Sequence, residues 1–181
     1  MSFKKLNIGE NHVFIIAELS ANHGSDIEVA KATIRAAKRC GADAIKFQTY
    51  TADTITIESS KEDFIVGGGT NWDGRTLHDL YREAHTPWEW HEELFECAKE
   101  EGLVCFSSPF DKTAVDFLEN LDVPLYKIAS FEITDIPLIE YVASKGKPII
   151  ISTGIAEMED MDDRAMFLEE YGLKESGLDK L

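Results

Sequence analysis

Two lysines stand in the middle of apolar segments of strand length, Lys46 in AIKFQ and Lys127 in LYKIA. Removing a lone ammonium group from water is expensive, so such a lysine persists only beside a carboxylate, a bound anion or water. Two of them at equivalent heights on different strands suggest a site for a phosphate or carboxylate dianion. Serine hydroxyls could complete the set of donors: Ser107, Ser108, Ser130 and Ser152.

Three further polar residues end or follow the same apolar segments and could bind a substrate or move a proton. Glu18 closes the first segment, Gln48 closes the second, and Glu132 follows the fourth. A structural interpretation competes with the functional one, because Lys46 and Lys127 could each pair with a buried glutamate without binding any ligand. The residue types alone leave both interpretations open.

Five apolar runs are continuous rather than alternating, which is typical of parallel strands buried on both faces. These runs are residues 13–17, 44–47, 103–106, 125–128 and 148–151. Helical periodicity between them predicts four helices. Their starts are a capping box at residues 25–28, Thr86 as N-cap with Pro87 at the first helical position, Asp111 and Asp135.

The resulting order is βαβαβαβαβ, which predicts an α/β protein whose parallel sheet either curls or stays open. A (β/α)₈ barrel usually needs about 250 residues, so a chain of 181 residues should not close one alone. The long link at residues 50–85 contains three consecutive glycines and Trp72. Links of that length are usually functional lids or disordered segments.

The charge balance of 34 acidic against 18 basic side chains gives a net charge of −16. This charge repels nucleic acids and anionic lipids, so we expect neither as a partner. No apolar stretch approaches the roughly 18 residues of a membrane span, and we expect a cytoplasmic protein. We predict that Cys40, Cys97 and Cys105 are reduced core thiols, because they show no CxxC spacing.

Several spaced segments carry a resemblance to a known family. They are FIIAELSANHGSDIEVAKATIRAAKRCGADAIKFQTY, VCFSSPFDKTAVDFLENLDVPLYKIASFE and KPIIISTG. Together they resemble the N-terminal barrel of the sialic acid synthase family over roughly residues 12–160. The segment WDGRTLHDLYREAHTPWEW is most similar to the pseudaminic acid synthase branch. The resemblance implies a TIM-barrel type fold of (β/α) units with about five of eight strands, an incomplete barrel.

The resemblance also implies an activity. Members of the family condense phosphoenolpyruvate with the aldehyde of an N-acetylated amino sugar, which releases phosphate and gives a nonulosonic acid. A divalent metal, Mn or Mg, and a homodimer are expected for the full-length family. By matching position, Lys46 and Lys127 would hold phosphoenolpyruvate, and Glu18 and Glu132 would face the sugar and the reacting centre. Further substrate-binding residues are expected: Gln48, Ser108, Ser130 and Ser152.

Histidines and aromatic residues add weaker expectations. His23 in Asn22-His23-Gly24 is either a neighbour of the substrate or a brace for its loop, and both stay open. Trp72 is the expected sugar contact, whereas Trp90 is expected in the core. Four histidines without ligand spacing are predicted to be solvated: His12, His78, His85 and His91.

The resemblance ends near residue 160, and residues 161–181 are expected to form a divergent helical tail. The acidic cluster at residues 157–163 is expected in a first helical turn facing water. The metal-binding histidines and the antifreeze-like domain of the family are expected to be missing, so the chain looks truncated and its own activity is in question. Two alternatives remain: a non-catalytic remnant that binds an anion or a partner, and another phosphoenolpyruvate-using barrel such as a 3-deoxy-sugar acid synthase.

Overall fold

The fold is described from a computed structural model, which describes residues 13–154, 156, 157 and 168. Within residues 13–154 there are five strands: β1 (Ile16–Ser20), β2 (Ala44–Thr49), β3 (Val104–Pro109), β4 (Tyr126–Ile128) and β5 (Ile149–Ile151). The same range contains six helices: α1 (Ile27–Arg39), α2 (Ala52–Ile55), α3 (Leu77–Ala84), α4 (His91–Glu100), α5 (Lys112–Asn120) and α6 (Ile136–Ala143). Short 3₁₀ turns occupy Glu62–Phe64, Trp88–Trp90 and Phe131–Thr134.

The five strands form one parallel sheet in the sequential order β1-β2-β3-β4-β5. A doubly wound sheet reverses its strand order at a switch point, whereas a (β/α) barrel adds each strand beside the previous one. The sequential order therefore agrees with the predicted TIM-barrel type of fold. The carboxyl ends of β1 to β5 carry the loops in which this fold type places its functional residues.

Two compact units divide the chain, and the boundary between them falls within β3. The first unit is Phe14–Cys105, and the second contains Val13 and the described residues from Phe106 onward. In the first unit, α1 and α4 supply apolar side chains to one core with β1 and β2. Its fully buried members include Leu19, Ala30, Ile34, Ile45, Phe47 and Leu94.

The second unit has a core of its own beneath α5 and α6. Its fully buried side chains include Phe106, Val115, Leu118, Tyr126, Ile128 and Ile139. On its surface, the Tyr141 hydroxyl donates to Asp116 Oδ1 at 2.6 Å, which joins α6 to α5. Lys145 Nζ lies 3.0 Å from the same carboxylate and 4.1 Å from the Tyr141 ring centroid.

The first strand begins three residues later than the apolar run predicts. Val13 is 80% exposed and Ile15 is 50% exposed, so the start of the run is not buried. The parallel register begins with Ile16 opposite Ala44, and it continues to Glu18 opposite Lys46. Pairing with β2 therefore decides where β1 begins, and apolar character alone could not.

Helix starts were predicted correctly where an aspartate follows a strand. Asp111 accepts from Thr113 N at 2.8 Å and caps α5, and Asp135 accepts from Leu138 N at 3.1 Å and caps α6. For α1 the cap is Asp26, which accepts from Glu28 N at 2.8 Å. The sequence predicted that the capping box starts at residue 25, which is one residue too early.

The prediction that Thr86 caps the next helix is wrong. Pro87 precedes a 3₁₀ turn, and α4 begins only at His91 without a side-chain cap. The Thr86 hydroxyl instead donates to Ser20 O at 3.3 Å and contacts His23. The Thr86 hydroxyl therefore bonds to His23, which is 63 residues away in sequence, and does not cap the helix that local spacing predicted.

The link at residues 50–85 contains α2, α3 and a 3₁₀ turn, and it is not a structureless loop. Val66 N donates to Arg75 O and Gly74 N donates to Val66 O, both at 2.8 Å. These two hydrogen bonds close residues 66–75 into a hairpin-like loop. Trp72 lies near the tip of this loop and is 49% exposed.

Three further predictions about single residues are wrong. Cys40 is exposed, although Cys97 and Cys105 are buried as expected. His78 is 7% exposed and His91 is 1% exposed, so neither is a solvated histidine. Both are held by hydrogen bonds to residues that are distant in sequence, a pairing that local polarity cannot reveal.

No helix within the described residues is long and apolar enough to span a membrane. The predicted helical tail at residues 161–181 lies outside the described residues except for Leu168. The same holds for His12 and for the acidic cluster at residues 157–163 beyond Glu157.

Candidate active site

Glu18 and Lys46 are register partners on β1 and β2, and Lys46 Nζ lies 3.5 Å from Glu18 Oε2. The Lys46 side chain is 6% exposed, whereas the Glu18 side chain is 59% exposed. The buried ammonium therefore has a carboxylate partner at the solvent boundary. This contact agrees with the structural interpretation for Lys46, and the exposure of Glu18 leaves that carboxylate accessible to a ligand.

Gln48 lies two residues after Lys46 on β2. Side chains alternate between the faces of a strand, so Lys46 and Gln48 share one face. Ile45 and Phe47 occupy the opposite face and belong to the core cluster with α1 and α4. The polar pair is thus turned away from that core, toward the side on which Glu18 meets Lys46.

His23 is completely buried, and both of its ring nitrogens have partners. Nδ1 accepts from Ser25 N at 3.1 Å, so the ring proton belongs on Nε2. Nε2 lies 3.1 Å from Thr86 Oγ1 and donates to it. Burial lowers the pKa of His23, and the nearby His85 lowers it further. A neutral imidazole with a hydrogen bond at each ring nitrogen fits the loop-bracing interpretation of His23.

Trp72 lies in the hairpin-like loop, which Asp73 holds closed. Asp73 accepts from Gly69 N and Thr70 N, each at 2.9 Å. The hydrogen bond from the Thr70 hydroxyl is the main reason that the pKa of Asp73 lies below its ordinary value, and the two backbone donors add to it. The loop therefore presents an exposed indole on an ordered backbone. Its role as a sugar contact stays a prediction.

In the second unit, Lys127 is the middle residue of the short strand β4. Its Nζ donates to Ile128 O at 2.5 Å and to the Ser152 hydroxyl, which follows β5. Lys127 and Ile150 are register partners on these two strands, and Ser152 N donates to Ile128 O at 3.0 Å. The pairing of β4 with β5 therefore places the Ser152 hydroxyl beside the Lys127 ammonium group.

Glu132 lies in the 3₁₀ turn that follows β4. Burial raises the pKa of its carboxyl, and Asp135 raises it further, whereas Lys127 acts in the opposite direction. Its Oε2 is buried and has no hydrogen-bond partner among the described residues. A carboxyl in this state holds its proton to higher pH than an ordinary glutamate does, so it can act as a proton donor.

The loops that follow β4 and β5 approach each other closely. A Cβ atom at Gly154 would lie 2.8 Å from Ser130 Oγ and 3.5 Å from Ser130 Cβ. A side chain at position 154 would therefore displace the Ser130 hydroxyl. The residue requirement at Gly154 was not predicted, because the contact joins loops 24 residues apart.

Ser108 lies near the end of β3, where it is 1% exposed. Its Oγ is buried and has no hydrogen-bond partner among the described residues. An unpaired buried hydroxyl costs free energy unless something else binds it. Ser108 is therefore a free donor at the carboxyl end of its own strand.

The predicted residues thus form two groups, each within one unit. In the second unit, the structure brings Lys127 to Ser152, and it places Ser130 and Glu132 in the loop directly after β4. In the first unit, it brings Glu18 to Lys46, and Gln48 shares their face. His23 is turned into the protein interior, and Trp72 lies on a separate loop.

A further pair that the sequence did not indicate joins α2 to α3. His78 Nε2 lies 2.8 Å from Asp53 Oδ1, and His78 Nδ1 is buried without a hydrogen-bond partner among the described residues. The two residues are 25 positions apart, so local spacing does not indicate the pair. In the part of the chain that the structure describes, no group of three or more His, Cys, Asp and Glu side chains could hold a metal ion.

Comparison with known proteins gives one family match and several long alignments. Residues 33–178 match the NeuB family. Pseudaminic acid synthase from Campylobacter jejuni is 55% identical over 152 residues, which cover 84% of this chain and 44% of that protein. Pseudaminic acid synthase from Helicobacter pylori is 51% identical over 149 residues, which cover 82% and 44%.

A solved structure supports the same relationship. The crystal structure of the N-acetylneuraminic acid synthetase from Leptospira borgpetersenii, in complex with citrate, superposes with a TM-score of 0.76 at 30% identity. The superposition covers 91% of this chain and 53% of that chain. The chain therefore spans about half the length, or less, of the relatives that it matches.

Proposed function

The chain belongs to the NeuB family, and we propose that it provides the phosphoenolpyruvate-binding part of an enzyme that condenses this substrate with an N-acetylated amino sugar. The proposal gives the chain the transferase chemistry implied by its pseudaminic acid synthase relatives, with a nonulosonic acid and phosphate as products. Its main structural support is the Lys127 ammonium group, which is hydrogen-bonded to the Ser152 hydroxyl and followed in the chain by Glu132, whose pKa burial raises.

The reaction requires a defined set of charges. C3 of phosphoenolpyruvate forms a bond to the aldehyde carbon, the aldehyde oxygen takes up a proton, water supplies the ketone oxygen at C2, and phosphate leaves. Positive charge develops at C2 and negative charge on the aldehyde oxygen. Catalysis therefore needs cations for the substrate's anionic groups, a carboxylate near C2 and an acid near the aldehyde oxygen.

In this proposal Lys127 binds one anionic group of phosphoenolpyruvate, and hydroxyl donors at its side complete the contact. Two contacts support this. The Ser152 hydroxyl already accepts a hydrogen bond from the Lys127 ammonium group, and Ser130 lies in the loop that approaches Gly154. Ser108 contributes a further donor, supported by its buried and unpaired hydroxyl. That Lys46 and Gln48 hold the same substrate molecule stays a prediction.

Glu132 is the proposed proton donor to the aldehyde oxygen, or the hydrogen-bond partner of the sugar hydroxyls. Its raised pKa supports the role of proton donor, which requires a proton on the carboxyl. A hydrogen bond from a sugar hydroxyl needs no such proton, because a carboxylate oxygen accepts it. Glu18 is the proposed carboxylate near the reacting centre, supported by its exposure beside Lys46. Trp72 and His23 stay predictions as sugar-site residues.

A divalent metal such as Mn or Mg would stabilise the negative charge on the aldehyde oxygen. The described residues do not provide a site for it, and no ligand is assigned among them. A homodimer and a cytoplasmic location likewise remain proposals.

The test begins with calorimetric titration of phosphoenolpyruvate into this chain. We expect binding that weakens at least tenfold in Lys127→Ala, because an ion-paired hydrogen bond is lost. Lys99→Ala is the matched control, since it removes the same charge from a surface lysine whose side chain is 78% exposed. Absence of binding, or equal weakening in both variants, would refute the proposal.

Phosphate release with manganese and a panel of 2-acetamido sugars then separates an enzyme from an anion-binding protein. Turnover supports the synthase. Phosphoenolpyruvate binding without turnover supports the non-catalytic alternative. Turnover with a sugar phosphate in place of the N-acetylated sugar supports a 3-deoxy-sugar acid synthase.

A further inference from the structure

Phe131 is a large apolar side chain that stays 74% exposed, and it lies between Ser130 and Glu132 in sequence. Both neighbours belong to the proposed site. The other large apolar side chains that are exposed in the described residues do not adjoin two such residues: Val13, Ile15, Val29, Ile57 and Trp72. The position of Phe131 therefore distinguishes it from scattered surface apolar residues.

The turn that carries Phe131 is firmly held. Two residues on, Ile133 is 1% exposed and anchors the turn in the core. The Thr134 hydroxyl donates to Phe131 O at 3.2 Å, and Asp135 N donates to Glu132 O at 3.0 Å. The exposure of the phenyl ring is thus a property of an ordered turn.

The surroundings combine polar and apolar groups in the way that small-molecule sites do. Glu132 offers a carboxyl whose Oε2 is buried without a hydrogen-bond partner among the described residues, Ser130 offers a hydroxyl, and Phe131, between them in sequence, offers an exposed phenyl ring. Phosphoenolpyruvate is a small, strongly anionic molecule that gains little from a phenyl ring. An N-acetylated sugar carries methyl and C–H groups beside its hydroxyls, and an aromatic face binds such groups well.

We propose that Phe131 contacts the methyl-bearing part of the acceptor sugar and helps to determine which sugar is accepted. This inference rests on the proposed function, because it requires a sugar at the same site. The methyl group could be the acetamido methyl or the methyl at C6 of a 6-deoxy sugar. The chemistry of the contact is the same in both cases, and the experiment distinguishes them.

The experiment is saturation-transfer NMR on the full chain with N-acetylmannosamine and its 6-deoxy analogue. We expect the methyl protons of the bound sugar to receive the strongest transfer. In Phe131→Ala the dissociation constant, from a titration of these signals, should rise about tenfold. Transfer confined to the 6-deoxy methyl identifies that group as the contact, and equal transfer in both sugars identifies the acetamido methyl.

Val29→Ala is the matched control, because it shortens an exposed apolar side chain on α1. It should leave the sugar signals unchanged. The affinity for phosphoenolpyruvate, measured by calorimetry, should change less than twofold in Phe131→Ala. That result would show that the site itself is intact.

Three results would overturn the inference. Sugar signals that are absent, or unchanged in Phe131→Ala, while phosphoenolpyruvate still binds would refute the role of Phe131 and leave the proposed function standing. Failure of the native chain to bind phosphoenolpyruvate would remove the proposed function and this inference with it. Conversion of a dimer to a monomer by Phe131→Ala, seen by light scattering, would assign the ring to contact between copies.

Discussion

Glu18 Oε2 lies 3.5 Å from Lys46 Nζ across neighbouring parallel strands, and the two side chains differ sharply in exposure. The ammonium is buried, whereas the carboxylate reaches solvent. A structural ion pair and a cation that also binds a ligand both fit this half-open arrangement, and substitution can distinguish the two cases.

Lys46→Met should weaken phosphoenolpyruvate binding at least tenfold and change the free energy of unfolding by less than about 1 kcal/mol, since the freed Glu18 carboxylate stays solvated. Calorimetry and urea unfolding measure the two quantities. Lys99→Met is the control for loss of charge. A loss of several kcal/mol of stability with unchanged affinity would favour the structural interpretation.

Thr86→Val should lower the free energy of unfolding by about 1–2 kcal/mol, because it leaves the buried Nε2 proton of His23 without an acceptor. Thr86→Ser keeps the hydroxyl and should stay closer to the native stability. Urea unfolding of both variants measures the difference. Equal stability of the two variants would contradict the assigned hydrogen bond.

Gly154→Ala should weaken phosphoenolpyruvate binding about fivefold, because the new Cβ displaces the Ser130 hydroxyl. In a Ser130→Ala background the same change should cost almost nothing further, since the clashing oxygen is gone. A calorimetric double-mutant cycle measures this coupling. If the two substitutions have additive effects on the binding free energy, positions 130 and 154 are not coupled through this contact.

Acid should destabilise the first unit through His91. Burial lowers the pKa of His91 from 6.5 to about 4, so folding excludes a proton that the unfolded chain binds. The resulting stability is present above pH 6.5 and is lost as the pH falls through 4, up to about 3 kcal/mol. Urea unfolding from pH 7 to pH 4 should show a smaller pH dependence in His91→Asn. An unchanged slope in that variant would contradict the prediction.

Glu132 should make the folded protein less stable as the pH rises, which is the opposite of the effect of His91. Its pKa is raised above 4.5 in the folded protein, so its contribution to stability is present below 4.5 and is lost as the pH rises through the raised value. Glu132→Gln should therefore gain stability relative to the native chain between pH 4 and pH 8. Urea unfolding across that range measures the gain. If the difference in free energy of unfolding between Glu132→Gln and the native chain does not change with pH, the prediction is wrong.

Local patterns were sufficient to predict much of this protein. Continuous apolar runs identified β2 to β5, because strands buried on both faces need apolar side chains throughout. Asp111 and Asp135 identified two helix starts, because a cap acts within three residues of itself. The spaced motifs identified the family, and the lysines within them identified where to look for a site.

Tertiary structure decided the contacts between distant residues. The pairing of β1 with β2 set where the first strand begins, and the position of Ser20 and His23 gave Thr86 a partner other than its own helix. The contact between Ser130 and Gly154 likewise joins separate loops. A sequence pattern reports the preferences of neighbouring residues, whereas burial and long-range hydrogen bonds depend on which strands and loops the completed sheet brings together.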